Sequence, residues 1–415
     1  MCDCHSSVCM ENRFMENKNI LHIEVFQKLK SLASEDYIED LVNDYLDNQC
    51  SKEFVGNTID SFDSCPVLKD EIEKISFEGH VFGSRKTYIY SCQTEDPYCE
   101  EIEEGIVGTT LYTLPSVQFD NLWDNLIFDS DVKQKLLDMA ATTIVLADKG
   151  VDSNVVTCNR MLLLHGPPGT GKTSLCKALA NKLSIRLKKR FTSAELLEIN
   201  SHSLFSKWFS ESGKLISKTF ARLHEIAALD SQTLLIVLID EVESLAMMRQ
   251  ASSNDPGDSI RAVNALLTQL DQLRRHRNVL VLATSNVTKC IDEAFADRAD
   301  MKIFIDNPSP ASAYNILCSS VEELIRCRIL ALPNIKYKRF NWFESCNKDT
   351  PKYAQMIHRI AHCCQGLSGR TLRKLPIIAL SKSRDEIQDA SLKIDDFLDE
   401  LLQTVYLKKK ENEKF

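Results

Sequence analysis

Apolar and polar positions change their period twice along the chain, and the changes divide it into three. Residues 1–110 alternate, as at 80–90, where Tyr88 and Tyr90 fall on one face, and they carry amphipathic runs such as 25–32. That mixture predicts a small α+β domain. From 111 to 307 the alternation stops. Residues 161–164, 233–239 and 278–284 are short unbroken apolar runs, the pattern of parallel strands buried on both faces. Between the last two, Val263, Leu266, Leu267 and Leu270 recur at helical spacing within 260–273, so a helix covers the sheet there. The alternation of helix and strand predicts a doubly wound parallel α/β core. After Pro308 and Pro310 the pattern is helical through 314–330, 352–364, 371–380 and 392–406, which makes 308–415 a small helical domain with a charged, frayed tail at 408–415.

Composition removes several classes of function. A chain of 415 residues fits two or three domains, at roughly 100–200 residues each. With 44% apolar and 26% charged residues it is globular in character. The apolar run at 234–239 is far short of the ~20 residues a membrane span needs, so none is expected. The first residues lack the basic patch and apolar run of a secretory signal, so the fifteen cysteines are read as thiols in a reducing compartment. A net charge of −9 leaves no footprint for gripping a phosphate backbone, and nucleic acid is not the favoured partner. The basic cluster Arg186, Lys188, Lys189 and Arg190 reads as a solvated face.

Chemistry is concentrated in the middle third. Gly166, Pro167, Pro168, Gly169, Thr170, Gly171, Lys172 and Thr173, with Ser174 following, lie between an apolar strand and a helix rich in Leu and Ala. This context makes the pattern a phosphate-binding loop: glycines let the backbone curl so that N–H groups and a helix N-terminus face the phosphates of ATP. Lys172 then reaches the β- and γ-phosphates, and Thr173 offers its hydroxyl to Mg2+. The strand 234–239 ends in Asp240 and Glu241, at the sheet edge where ligands bind. Asp240 is expected to hold the magnesium, directly or through water, and Glu241 to polarise the attacking water. Asn286, just past the next strand, can orient that water without adding charge. Cys2, Cys4, His5 and Cys9 are spaced too tightly for a structural zinc site, and His358 and His362 lack the intervening Glu of a metalloprotease helix. No metal beyond magnesium is expected.

The Asp-Glu strand end, the Thr-Ser-Asn at 284–286, Asp297-Arg298-Ala299-Asp300 and Gly366-Leu-Ser-Gly-Arg370 resemble, in order and spacing, the Walker B, sensor 1, arginine-finger and sensor 2 elements of AAA+ ATPases. The resemblance implies that Arg298 braces the γ-phosphate of a neighbouring subunit, which requires an oligomer, and that Arg370 reports loss of that phosphate. Many AAA+ relatives carry a second arginine three residues further on, where this chain has Met301. Trp208 and Phe209 match the position of the central pore loop, where an aromatic followed by an apolar residue grips a translocating polypeptide. Residues 252–259 could form a second pore loop or an ordinary surface connection.

The wording of 159–180, 201–213, 239–245, 264–271 and 366–376 resembles more closely the pachytene checkpoint protein 2 family, also called thyroid hormone receptor interactor 13. This closer likeness covers 120–306 and the island at 366–376. It implies a hexameric remodeller that converts HORMA-domain proteins, of checkpoint and meiotic chromosome-axis types, from closed to open forms. The domain at 1–110 then binds substrate together with a comet-type HORMA adaptor. It also implies residence in the nucleus, on chromosomes and kinetochores, and in the cytoplasm. A nucleotide-switched scaffold with little turnover and a nucleic-acid-directed motor are the competing readings; the intact Glu241, Asn286 and Arg298 oppose the first, the acidic balance the second.

Overall fold

The protein is described here by a computed structural model covering residues 20–48, 58–63, 65–79, 84–103, 106–152, 155–200, 212–244, 256–286, 291–331, 337–347, 350–382 and 392–412. Its first sheet has the order β2-β3-β1-β4, with β1 at Ile20–Gln27, β2 at Thr58–Ile59, β3 at Ile72–Gly79 and β4 at Ser84–Tyr90. β1 pairs antiparallel to β3 and parallel to β4. Strand alternation gives this sheet two different faces. Leu21, Ile23 and Val25 pack under helix Glu35–Asn48 through Ile38, Val42 and Leu46. The even-numbered His22, Glu24 and Phe26 turn the other way, beside Glu78, Tyr88 and Tyr90.

The second sheet runs β11-β7-β10-β9-β8-β6-β5. Its strands are β5 Tyr98–Glu103, β6 Ile106–Leu114, β7 Met161–His165, β8 Ser193–Asn200, β9 Thr233–Asp240, β10 Val279–Ser285 and β11 Met301–Phe304. The five from β11 to β8 are parallel, and β6 and β5 continue the sheet antiparallel. Helices Val132–Asp148 and Lys172–Arg186 cover one face, and helices Ser212–Leu229 and Pro256–Leu273 the other, so β9 and β10 are sealed on both sides. Burial on both faces is why these strands read as unbroken apolar runs. A third core joins helices Pro310–Arg326, Lys352–Cys363, Gly369–Leu380 and Ile394–Asn412.

Four expectations change. The boundary at 110 cuts through β6, and the chain already enters the second sheet at Tyr98. Antiparallel edge strands alternate like those of the first sheet, which hides the transition. The amphipathic run at 25–32 is the end of β1 and a turn, because the alternation of 20–26 serves both faces of a central strand. Residues 408–412 continue the last helix, with Lys408 paired to Glu411 one turn on. The fourth change concerns the basic cluster, much of which is no solvated face. Arg186 donates to Glu24 at 2.6 Å and to Glu78 at 2.5 Å, and Lys188 donates to the Ile89 carbonyl at 2.8 Å. With Lys182, which reaches Glu24 at 2.8 Å, they fasten the first sheet onto the phosphate-loop helix. Phe26, Tyr88, Tyr90 and Ile185 supply the apolar part of the same contact.

This junction is expected to respond to pH. Burial, reinforced by Arg186, lowers the His22 imidazole from 6.5 to about 4. Burial alone would raise the Glu78 carboxyl, but Lys182 and Arg186 reverse this and hold it at about 2. Both groups bind protons more weakly when docked, so both stabilise docking above their ordinary values and lose that contribution as pH falls. Docking of the N-terminal sheet is therefore expected to weaken first between pH 6.5 and 4. Urea unfolding followed by tryptophan emission at stepped pH tests this, and His22→Gln should flatten that limb alone. A stability independent of pH over this range would contradict it.

Candidate active site

The site is built on the C-terminal ends of the parallel strands. β7 lies between β10 and β11 and delivers Gly166, whose φ is +143° and where a Cβ would lie 2.1 Å from the Ile305 carbonyl oxygen. Only glycine fits that approach. Gly169 and Gly171, at φ +77° and +94°, complete the curl into helix Lys172–Arg186. Lys172 is 4% exposed and folds back onto the loop, its Nζ donating to the Gly166 carbonyl at 3.0 Å and the Pro167 carbonyl at 2.7 Å. Burial lowers the ammonium pKa, while Glu243 and Asp240 act the other way. Those carbonyl contacts hold the side chain where phosphate oxygens would exchange for them.

Thr173 Oγ1 donates to Asp240 Oδ1 at 2.8 Å, joining the loop to the end of β9. Hydroxyl and carboxylate together form an all-oxygen donor pair that suits a hard divalent cation such as magnesium. Asp240 also accepts from the Thr284 hydroxyl. Glu241 stands in the left-handed region, at φ +58°, and is held there by its N–H on Thr284 Oγ1 at 3.3 Å and by Val242 N–H on the Thr284 carbonyl at 3.0 Å. A non-glycine residue in that conformation is strained, and such strain collects at functional sites. Asn286 Nδ2 meets Glu241 Oε1 at 3.4 Å. Asp240, Glu241 and Asn286 thus share one corner with Lys172 and Thr173.

The helical domain closes the site from above. Arg370 N–H donates to the Gly169 carbonyl at 2.9 Å, and a Cβ on Gly169 would lie 2.8 Å from Ser368 Oγ. Ser368 caps helix Gly369–Leu380, accepting from Thr371 N–H. Asp129 anchors the entry of the same domain through Ser309 N–H at 2.9 Å. A cleft of about 1230 Å³ remains between the parts, walled by Gly171, Arg370 and the apolar Leu126, Phe128, Ile316 and Ile377. These apolar walls suit a purine ring and escaped the sequence reading. For Leu126 and Phe128 the one signal is the short apolar run 126–128 ahead of the phosphate-loop strand.

The remaining expected residues lie elsewhere. Arg298 is held inside its own chain, Nε and an Nη reaching the two oxygens of Asp271 at 2.9 and 2.8 Å while the other Nη donates to the Ala294 carbonyl at 2.7 Å. Asp271 raises its pKa. Asp300 is structural: it accepts the N–H groups of Asn159 and Met161. Trp208, Phe209, Cys2, Cys4, His5 and Cys9 lie outside the described residues, as do 252–255, whereas 256–259 open helix Pro256–Leu273. His358 stacks on Trp342 with ring centroids 4.0 Å apart, and His362 packs on the same ring. Among the described residues no group of three or more His, Cys, Asp or Glu could hold a metal, the cysteines are free thiols, and no helix is long and apolar enough to cross a membrane.

Comparison with known proteins shows the family. The ATPase family associated with various cellular activities (AAA) matches residues 162–307, the TRIP13-like AAA+ ATPase lid C-terminal domain matches 309–409, and the TRIP13 N-terminal domain matches 16–93. The chain is 41% identical to the pachytene checkpoint protein 2 homolog of Mus musculus over 400 residues, covering 92% of this chain and 91% of that one. Identity to the Homo sapiens homolog is 43% over 378 residues, covering 86% and 87%. The solved structure of C. elegans PCH-2 superposes with a TM-score of 0.78 at 34% identity, over 94% of this chain and 100% of that one. With family models matching its N-terminal, ATPase and lid regions and relatives above 40% identity over most of its length, the chain belongs to the pachytene checkpoint protein 2 (TRIP13) family of AAA+ ATPases and is an ATP-hydrolysing enzyme.

Proposed function

We propose that the protein assembles into a hexameric ring and uses ATP hydrolysis to pull HORMA-domain proteins from closed to open conformers. The observation that carries this reading is family membership that runs through the N-terminal domain and the lid, beside an intact Glu241–Asn286 pair suited to turnover. Thr173 and Asp240 would hold Mg2+, which would supply positive charge against the phosphates. Arg298 leaves Asp271 to brace the γ-phosphate of the adjacent subunit, its guanidinium charged throughout. Trp208 and Phe209 grip the client chain as large apolar contacts. The domain carrying the first sheet receives the client with a comet-type HORMA adaptor. Clients of checkpoint and meiotic-axis type place the protein in the nucleus, on chromosomes and kinetochores, and in the cytoplasm, with roles in spindle-checkpoint signalling and the control of synapsis and recombination.

Purified chain mixed with a closed HORMA protein, its adaptor, ATP and Mg2+ tests the proposal. Client should convert to the open conformer, resolved by ion-exchange elution, only when ATP is hydrolysed. Trp208→Ala is expected to keep nucleotide affinity and slow conversion. Conversion at the parent rate by that variant would remove the pore assignment, and a client left closed by the parent protein would remove the substrate class.

A further inference from the structure

We propose that Glu243, two residues beyond Glu241, is a positioning residue for hydrolysis: its buried carboxylate fixes the backbone of Asn286 and so aims the amide that meets Glu241. The inference deepens the active-site reading and rests on Asn286 orienting the attacking water. Glu243 is 6% exposed, and its Oε1 accepts the Asn286 N–H at 3.1 Å. β10 ends at Ser285, so Asn286 is the first residue past the strand, and its N–H direction is set by this acceptor. The amide contact it governs is long, 3.4 Å from Nδ2 to Glu241 Oε1. Catalytic hydrogen bonds often tighten only with substrate bound, which requires a fixed backbone behind them.

The other oxygen of Glu243 argues against a role in stability alone. Oε2 is buried and has no hydrogen-bond partner among the described residues. A carboxylate kept in that state is a costly way to hold one N–H, and such groups need an explanation beyond packing. The surroundings supply one. Among the carboxylates acting on the Lys172 ammonium, Glu243 acts most strongly, ahead of Asp240. One side chain therefore touches the water-orienting residue and lies within the field of the phosphate-binding lysine. The local sequence hides this, because an acid one turn after a strand end reads as a solvated helix start.

Steady-state phosphate release with ATP and Mg2+, paired with binding of a fluorescent ATP analogue, tests the proposal on the full chain. Glu243→Ala is expected to lower kcat about 10- to 100-fold, the scale of an ångström-sized misplacement, with KM and analogue affinity changed far less, by the charge lost near Lys172 alone. Glu243→Gln, which retains the acceptor, should recover most of that loss. Combined with Asn286→Ala, Glu243→Ala should cause no further loss. A parent-like kcat in Glu243→Ala, a defect confined to KM or analogue binding, a Gln variant as slow as the Ala variant, or losses that multiply in the double variant would each overturn it. If Glu243→Ala does not fold, the Gln variant still decides between acceptor and charge. Asn286→Ala alone separates the two levels: a parent-like rate there removes the reading of Asn286 itself, whereas a slow Asn286→Ala beside a normal Glu243→Ala removes only the role of Glu243.

Discussion

Replacing Glu241 with Gln is expected to leave ATP binding at full strength and to slow phosphate release by about 10²–10⁴-fold, the range spanned by general acid–base catalysis. Gln matches Glu in size, and its side-chain oxygen can still accept from Asn286 Nδ2. Lys172, Thr173 and Asp240 keep their own contacts, which do not pass through the Glu241 side chain. The backbone of Glu241 at φ +58° is fixed by its own N–H on the Thr284 hydroxyl and by Val242 N–H on the Thr284 carbonyl, which the substitution leaves untouched. Only the basicity aimed at the water disappears. Single-turnover phosphate release and binding of a fluorescent ATP analogue separate the two quantities. A release rate within tenfold of the parent would place the base elsewhere, and loss of binding would make Glu241 a structural prop.

The legibility of this site in the sequence follows from how local each constraint is. The phosphate loop was readable because two of its glycines answer to a demand within a few residues or one neighbouring strand: Gly166 must pass the Ile305 carbonyl, and Gly171 must start a helix. Asp240, Glu241 and Asn286 were readable because parallel strands place their C-terminal ends along one edge. Arg186 was misread for the opposite reason. Its partners Glu24 and Glu78 lie 162 and 108 residues away, and a run of cations carries no mark of what it will meet. The entry into the second sheet at β5 was missed because antiparallel edge strands alternate in the same way whichever sheet they join. The apolar walls at Leu126 and Phe128 face a cleft that exists only once the lid has docked, so nothing local sets them apart from core.

Glu24→Ala is expected to cost about 3 kcal/mol of docking stability, at the lower end of the range for removing one partner of a buried ion pair. Glu24, Lys182 and Arg186 are each 7% exposed, and with Glu78 they form a balanced set of two anions and two cations. Burial pulls the Lys182 ammonium down, yet Glu24 and Glu78 more than offset it and hold it above its usual range. Arg186 follows the same balance of burial against the two carboxylates. Without Glu24 both cations must share Glu78, whose side chain is one-third exposed and already accepts from Trp123 Nε1 at 3.1 Å. Two buried cations on one screened anion are poorly compensated. The loss should fall on the junction more than on the cores, because the Leu21, Ile23 and Val25 face of β1 packs under its own helix and does not depend on Glu24. Urea unfolding followed by tryptophan emission should therefore split into an early step, reporting Trp123 at the junction, and a later one for the ATPase core. Glu24→Gln, which keeps the shape and one acceptor, should fall between. A single transition at the parent midpoint in Glu24→Ala would show that the apolar contact of Phe26, Tyr88 and Ile185 holds the junction without the ionic network.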